Sequence, residues 1–401
     1  MTTRTGLLRA GRCLARQGLV AAGLALLLAT PPAAVAGSRK AGSTTSYSYF
    51  ATGNPDAAVS TPSTLNASSF VLMGGGPDVD EAFRWMISRA GITPKTGGRF
   101  VVIRATGTEA YNPYIYYSND ASSTSSPPAE LWVGGAALGL SSVETLVIPS
   151  VEAANDDTVN AIVGRANAVF IAGGDQADYI RYWKGTRLDA TLKNLMAKNI
   201  PLGGTSAGLA VLGQFDYAAL NGTVTSKQAL SNPYNKYMTL DPAPLAVTAG
   251  FIAPPALANL ITDSHLDTRD RMGRLFAFVA RLVKPDGTTG CSGGILPAGS
   301  GTGTARGIGI GVETALLVQG DGTGVTARRV TNPSTTTESA VYFVRPLNPP
   351  TSCVDGKPLT MTTVEVQKLA DSRTVFNLGE WRGVGGRTVD AVSGELTASP
   401  Y

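Results

Sequence analysis

The chain of 401 residues contains a single histidine, His265, and three cysteines. Histidine is the side chain whose ordinary pKa lets it exchange a proton near neutral pH, so any imidazole chemistry rests on one position. One histidine, with Cys13, Cys291 and Cys353 far apart, gives no zinc-ligand spacing; neither a metal nor another cofactor is expected. Charged residues make up 15% of the chain and the formal net charge is +4, with part of the positive charge at the N-terminus. That balance gives no electrostatic reason to expect a nucleic-acid partner. The glycine triplet Gly74-Gly75-Gly76 has no Gly-Lys-Ser/Thr after it, which excludes a phosphate-binding P-loop. The apolar run from Leu19 to Ala29 is too short to span a bilayer comfortably and no other long one follows, so no stable membrane anchor is expected.

What is present begins with a leader. Arg4, Arg9, Arg12 and Arg16 precede that apolar run, and Ala34-Val35-Ala36 forms a small-residue cleavage site. The pattern predicts a signal peptide over 1–36 and an exported, extracellular or periplasmic, protein. Cleavage removes Cys13, and the two cysteines left in an oxidising compartment suggest one disulfide. It would close a loop of roughly 60 residues and stabilise by a few kcal/mol. Residues 37–65, rich in Ser, Thr and Ala, read as a flexible lead-in. Residues 66–319 read as one α/β domain and 320–401 as a β-rich extension.

Within the α/β region, Phe70–Met73, Phe100–Ile103, Val143–Ile148 and Ala168–Ile171 are short apolar runs of strand length. Asp80–Ala90 carries Phe83, Met86, Ile87 and Ala90 at helical spacing; Ile162 and Val163 sit on another helical stretch, and Leu188–Ala197 forms a third. Strands alternating with helices predict a mostly parallel sheet covered by helices on both faces. Runs ending at Gly74-Gly75-Gly76, Gly173-Gly174 and Gly203-Gly204 place glycines where ligands bind in such sheets, beyond the carboxyl ends of the strands. Two insertions interrupt the pattern, Ala110–Pro128 with Tyr111, Tyr114, Tyr116 and Tyr117, and Gln214–Ala256.

Gly204-Thr205-Ser206-Ala207-Gly208 matches the G-x-S-x-G turn that lifts a nucleophilic serine above a sheet. The Ala207 N–H would point into the same space as the Ser206 hydroxyl, and Gly75 would supply a second oxyanion donor. His265 lies in a polar stretch just before a helix whose buried stripe is Leu275, Phe276, Val279 and Leu282. Arg271 and Arg274 share another face of that helix, either as a solvated surface or as a basic wall for a substrate carboxylate or carbonyl.

Taken together, Gly-Thr-Ser-Ala-Gly, Gly173-Gly174-Asp175-Gln176, the run from His265 to Leu275 and Gly307–Leu316 resemble the cyanophycinases of the S51 serine peptidases. These are relatives of aspartyl dipeptidase with a sheet like that of class I glutamine amidotransferases. The resemblance implies Ser206 as nucleophile, His265 as general base and Glu313 as the acid that orients it. It also implies Gln176, Arg269, Arg271 and Arg274 as substrate-binding residues for β-linked aspartyl-arginine units. The implied activity is a secreted exopeptidase that releases β-Asp-Arg dipeptides from cyanophycin, and dimerisation of relatives allows a homodimer. Two positions depart from the family pattern: Ser264 stands where a glutamine precedes the histidine, and Val312 where an aspartate often precedes the acid. Asp216 is a second candidate for the third catalytic position. An S51-type dipeptidase for other aspartyl peptides, and a non-catalytic binding protein on the same fold, are the alternative readings.

Overall fold

A computed structural model describes residues 46–117, 133–243, 250–285, 290–291, 293–335 and 337–401, with the backbone alone at 290 and 291. The chain runs through β1 (Ser48–Gly53), β2 (Ser68–Met73), α1 (Asp80–Arg89), β3 (Arg99–Arg104), α2 (Tyr111–Tyr116) and α3 (Gly135–Leu138). It continues with β4 (Ser142–Val147), α4 (Val151–Asn155), α5 (Asp157–Gly164), β5 (Ala168–Ile171), α6 (Gln176–Trp183) and α7 (Arg187–Ala197). Then come β6 (Leu202–Thr205), α8 (Ala207–Ala210), β7 (Asp216–Tyr217), α9 (Ser226–Ser231), β8 (Leu240–Asp241), β9 (Leu260–Asp263) and α10 (Met272–Leu282). The remainder is β: β10 (Gly290–Cys291), β11 (Arg306–Ile310), β12 (Thr314–Gly320), β13 (Val325–Thr331), β14 (Val341–Pro346), β15 (Ser352–Cys353), β16 (Met361–Leu369), β17 (Val375–Asn377), β18 (Gly386–Val392) and β19 (Glu395–Leu396).

Nine strands form the main sheet in the order β1-β4-β3-β5-β6-β2-β12-β13-β17. Its centre, β4 to β2, is parallel, and antiparallel strands extend it at both edges. The central strands are apolar on both faces because helices cover both. Alternation assigns the sides: Val71, Phe100 and Phe170 pack with Phe83 and Met86 of α1, whereas Leu72, Val101 and Val169 pack with Val159, Trp183, Leu188 and Leu192 of α5 to α7. α1 starts with Asp80 and Glu81 and ends with Arg89, the charge order that suits the helix dipole. Asp156 and Asp175 cap α5 and α6 through their side chains.

A second sheet, β19-β18-β16-β14-β11-β9, is antiparallel except for the β9–β11 pair. The chain passes between the sheets at Gly311-Val312-Glu313, from β11 of one to β12 of the other.

Two expectations are corrected. The lead-in 37–65 is not wholly flexible: residues 48–53 form β1 and pair along the whole of β4. The reason lies in Glu144 of β4, a buried carboxylate that takes the Tyr49 hydroxyl at 2.7 Å and the Arg165 guanidinium at 2.7 Å. The boundary at 319/320 falls inside β12, which pairs through Gly320 with Val325 of β13; the β-rich region completes both sheets and is no appendage. The tyrosine insertion folds in part as the short helix α2, while 118–132 lies outside the described residues. So do the leader and the cleavage site. The expected disulfide also involves a side chain outside them, although the backbone sets Cys291 directly opposite Cys353.

Loss of the hydroxyl in Tyr49→Phe leaves Glu144 one hydrogen bond short. Chemical denaturation should show about 1–3 kcal/mol of lost stability. Turnover by the folded protein should be unchanged.

Candidate active site

The loops that leave the sheets at their seam carry the predicted reactive groups. β6 ends at Thr205, Ser206 turns, and α8 begins at Ala207. Ser206 has φ 54° and ψ −111°, a strained backbone for a residue with a Cβ, of the kind that clusters at functional sites. The turn needs its glycine: a Cβ on Gly208 would lie 2.0 Å from the Ile171 carbonyl oxygen. His265 follows β9, at φ 48°, and Glu313 links β11 to β12, at φ 55°.

Ser206 Oγ lies 2.9 Å from Nε2 of His265, although 59 residues separate them. Three consecutive carbonyls produce this meeting. The Ser206 N–H donates to Met73 O at 3.1 Å, the His265 N–H to Gly74 O at 2.7 Å, and the Glu313 N–H to Gly75 O at 2.9 Å. The loop after β2 therefore sets the backbone of all three positions. Gly75, at φ 94°, is also the floor under the imidazole, since a Cβ there would lie 2.4 Å from Nε2. The Cα face of Gly75 thus lies against the His265 ring and its carbonyl holds Glu313, while the oxyanion role read from the sequence concerns its N–H.

Burial pushes the His265 imidazole down to about 4, and the nearby Arg269 and Arg271 push the same way, against Asp263 and Asp267. The ring is thus neutral at pH 7. In the tautomer with the proton on Nδ1, Nε2 faces the Ser206 hydroxyl as an acceptor, the arrangement a general base requires.

Glu313, read from the sequence as the third catalytic residue, is tied to the site by its backbone bond to Gly75 O. Asp267 also links the two loops: its Oδ1 accepts the Val312 N–H at 3.2 Å, next to Glu313, and its charge acts on the imidazole. Asp216 is buried in β7, where its Oδ1 accepts the Gly213 N–H at 3.2 Å. Burial and the neighbouring Asp241 push its carboxyl well above the usual range, an environment that disfavours the charge an imidazolium partner needs.

The arginines separate into three roles. Arg269 is exposed and its N–H donates to the His265 carbonyl at 3.2 Å. Arg271 donates to the Ser264 carbonyl at 2.8 Å with its side chain 14% exposed. Arg274 corrects the prediction. It is 2% exposed, grips Asp263 through two bonds of 2.6 and 2.7 Å, and lies over the Tyr217 ring at 4.9 Å. Its Nη1 donates to Thr223 Oγ1 at 3.3 Å and to Val224 O at 3.2 Å, and a guanidinium so buried and so committed anchors the loop in place of reaching a substrate. Gln176 opens α6, partly buried, and donates to the Tyr217 carbonyl at 3.3 Å.

Asp263 and the Met73 and Gly74 carbonyls escaped the sequence reading. Asp263 left a faint signal, an acid at a strand end followed by an arginine inside an apolar helix stripe. The carbonyls left none, because every residue has one. Among the described residues no group of three His, Cys, Asp or Glu side chains is disposed to hold a metal ion.

The class this points to is reflected in comparison with known proteins. The model of peptidase family S51 matches residues 135–229, a segment that holds Gly173-Gly174, Gln176 and the Ser206 turn but ends before His265 and Glu313. More particularly, the chain is similar to the cyanophycinases of Trichormus variabilis and Nostoc sp., at 28% identity over 144 residues in each case. That stretch covers 36% of this chain and 43% of either relative, less than half of their length. Among solved structures, a peptidase from an acI-B1 Actinobacterium aligns over 82% of this chain and 96% of its own, at 15% identity and TM-score 0.37. A putative peptidase E protein from Listeria monocytogenes aligns over 66% and 100%, at 15% identity and TM-score 0.33. Scores this low leave the sheet order and the site geometry to speak for themselves.

Three outcomes follow from the geometry. With one histidine in the chain, selective ¹⁵N labelling reports His265 alone; its ring should titrate near 4, and Arg269→Gln should raise that value by removing a repulsive charge. A general base with this pKa puts the acid limb of the pH–rate profile below the ordinary histidine range, with activity lost only as pH falls toward 4. Gly75→Ala should displace the ring and lower the rate on the order of 100-fold while circular dichroism stays native-like.

Proposed function

We propose that this protein is an exported serine exopeptidase that hydrolyses cyanophycin to β-Asp-Arg dipeptides. The observation that carries the hydrolytic part is the 2.9 Å contact between the strained Ser206 hydroxyl and a neutral His265. Ser206 Oγ attacks the backbone amide carbonyl while its proton passes to His265 Nε2. The imidazolium gives that proton to the departing amine, the C–N bond breaks, and an acyl ester remains on Ser206. Water, deprotonated by His265, then attacks the ester and releases a carboxylate and free serine. The Ala207 N–H stands at the start of α8, where a helix leaves amides unpaired, and is suited to the oxyanion. Glu313, whose backbone Gly75 O holds beside the site, is the acid that would orient the histidine, and Asp263 and Asp267 add negative charge that favours the transient imidazolium.

The substrate assignment is supported by the partial similarity to cyanophycinases and by Arg269 and Arg271 beside the base, which suit aspartate carboxyl ends. Export is supported by the arginine-led leader and the Ala34-Val35-Ala36 site. A second reading, a dipeptidase for other aspartyl peptides, is favoured by one observation: burial of Arg274 withdraws a guanidinium from the expected pocket.

Incubation of the mature protein with insoluble cyanophycin should release the dipeptide, detected by mass spectrometry. Ser206→Ala should reduce release by several orders of magnitude. Release from short aspartyl or isoaspartyl peptides without release from the polymer would select the second reading. Equal release by wild type and Ser206→Ala would remove the serine mechanism.

A further inference from the structure

The tyrosines of α2 have no part in the chemistry above, yet two of them reach the loop on which the site depends. Tyr111 OH donates to Asp78 Oδ2 at 2.5 Å and Tyr114 OH to Asp80 Oδ1 at 2.6 Å. They stand three apart on a helix, so they share a face, and their partners flank the exit of the Gly74-Gly75-Gly76 turn. Asn332 closes the same stretch, donating to the Asp78 carbonyl at 2.8 Å and accepting the Asp80 N–H at 2.9 Å. The far end of the loop is therefore clamped from α2 and from the residue that follows β13.

Asp78 makes one contact more. Its carboxyl lies beside the hydroxyl of Thr205, the residue immediately before Ser206. Thr205 Oγ1 and Asp78 Oδ1 are both buried, and neither has a hydrogen-bond partner. Two buried polar atoms left unsatisfied would each cost free energy. Pairing the two resolves both, because the Thr205 hydroxyl can donate to Asp78 Oδ1 while Oδ2 keeps the bond from Tyr111.

We infer that Asp78 is a positioning residue for the nucleophile, joining the glycine loop to Thr205 and held in place by Tyr111. The loop fixes the Ser206 and His265 amides from one side, and Asp78 ties it to the strand end that carries Ser206 from the other. The inference rests on Ser206 being a nucleophile, and the test separates the two claims.

Purified full-length mature protein is labelled with a fluorophosphonate probe for activated serines, and labelling rate is measured alongside thermal stability and, where substrate turnover is found, kcat and KM. Asp78→Ala should slow labelling on the order of tenfold to 100-fold, with kcat falling and KM within about twofold. Asp78→Asn presents a donor and an acceptor in the same shape and should recover most of the rate. Tyr111→Phe should slow labelling by a smaller factor. Tyr49→Phe breaks a similar tyrosine–carboxylate bond far from the loop and should label at the wild-type rate despite its lower stability. Wild-type labelling rates in folded Asp78→Ala, or an Asn variant no better than the Ala variant, would overturn the inference. If Asp78→Ala does not fold, Tyr111→Phe decides: slowed labelling supports the role and an unchanged rate refutes it. Failure of the wild type itself to label at Ser206 sinks the nucleophile reading instead.

Discussion

Three adjacent peptide carbonyls, those of Met73, Gly74 and Gly75, hold the amides of Ser206, His265 and Glu313, and the rest of the site is built on that contact. These residues come from three separate loops, two at the ends of the main sheet and one at the end of the second. Each is held at positive φ, a conformation that L-residues adopt only when the surroundings over-determine it. A backbone hydrogen bond constrains direction as well as distance. Three of them from one short turn therefore bring the hydroxyl and the imidazole to 2.9 Å without relying on flexible side chains.

The electrostatics follow from how the second sheet meets the first. Asp263 ends β9 in the interior, where its charge needs a partner. Arg274 supplies it from the first turns of α10 and is buried in doing so. Arg271, one turn earlier in the helix entrance, holds the Ser264 carbonyl, so the His265 loop is tied down on its own side. The remaining positive charge, with burial, keeps the imidazole neutral. A weak base held against a serine suits a reaction in which the charge forms transiently, with Asp263 and Asp267 close by to offset it.

Much of the α/β region could be read from the chain. The runs at Phe70, Phe100, Val143 and Ala168 are strands within a residue or two of their predicted ends, because a strand buried on both faces needs an uninterrupted apolar stretch. Phe83, Met86 and Ile87 face the core as their spacing requires. β1 was not legible, since the Ser-, Thr- and Ala-rich composition around it looks alike in a linker and in an edge strand; its pairing with β4 and the buried Glu144 that takes the Tyr49 hydroxyl hold that segment in place. The end of the main sheet was not legible either: β13 read as part of a β-rich tail until its pairing with β12, itself paired with β2, joined it to the main sheet.

Sequence by itself determined which residues can do chemistry here: a lone histidine, a serine between glycines at a strand end, and apolar periods that fix a covered parallel sheet. Those are properties of side-chain type and local spacing. Tertiary structure alone decided which arginine is buried, which glycine supports the imidazole and what holds Glu313. The groups that decide these are backbone carbonyls and distant carboxylates, and a carbonyl is present at every residue, so only the fold gives one of them meaning.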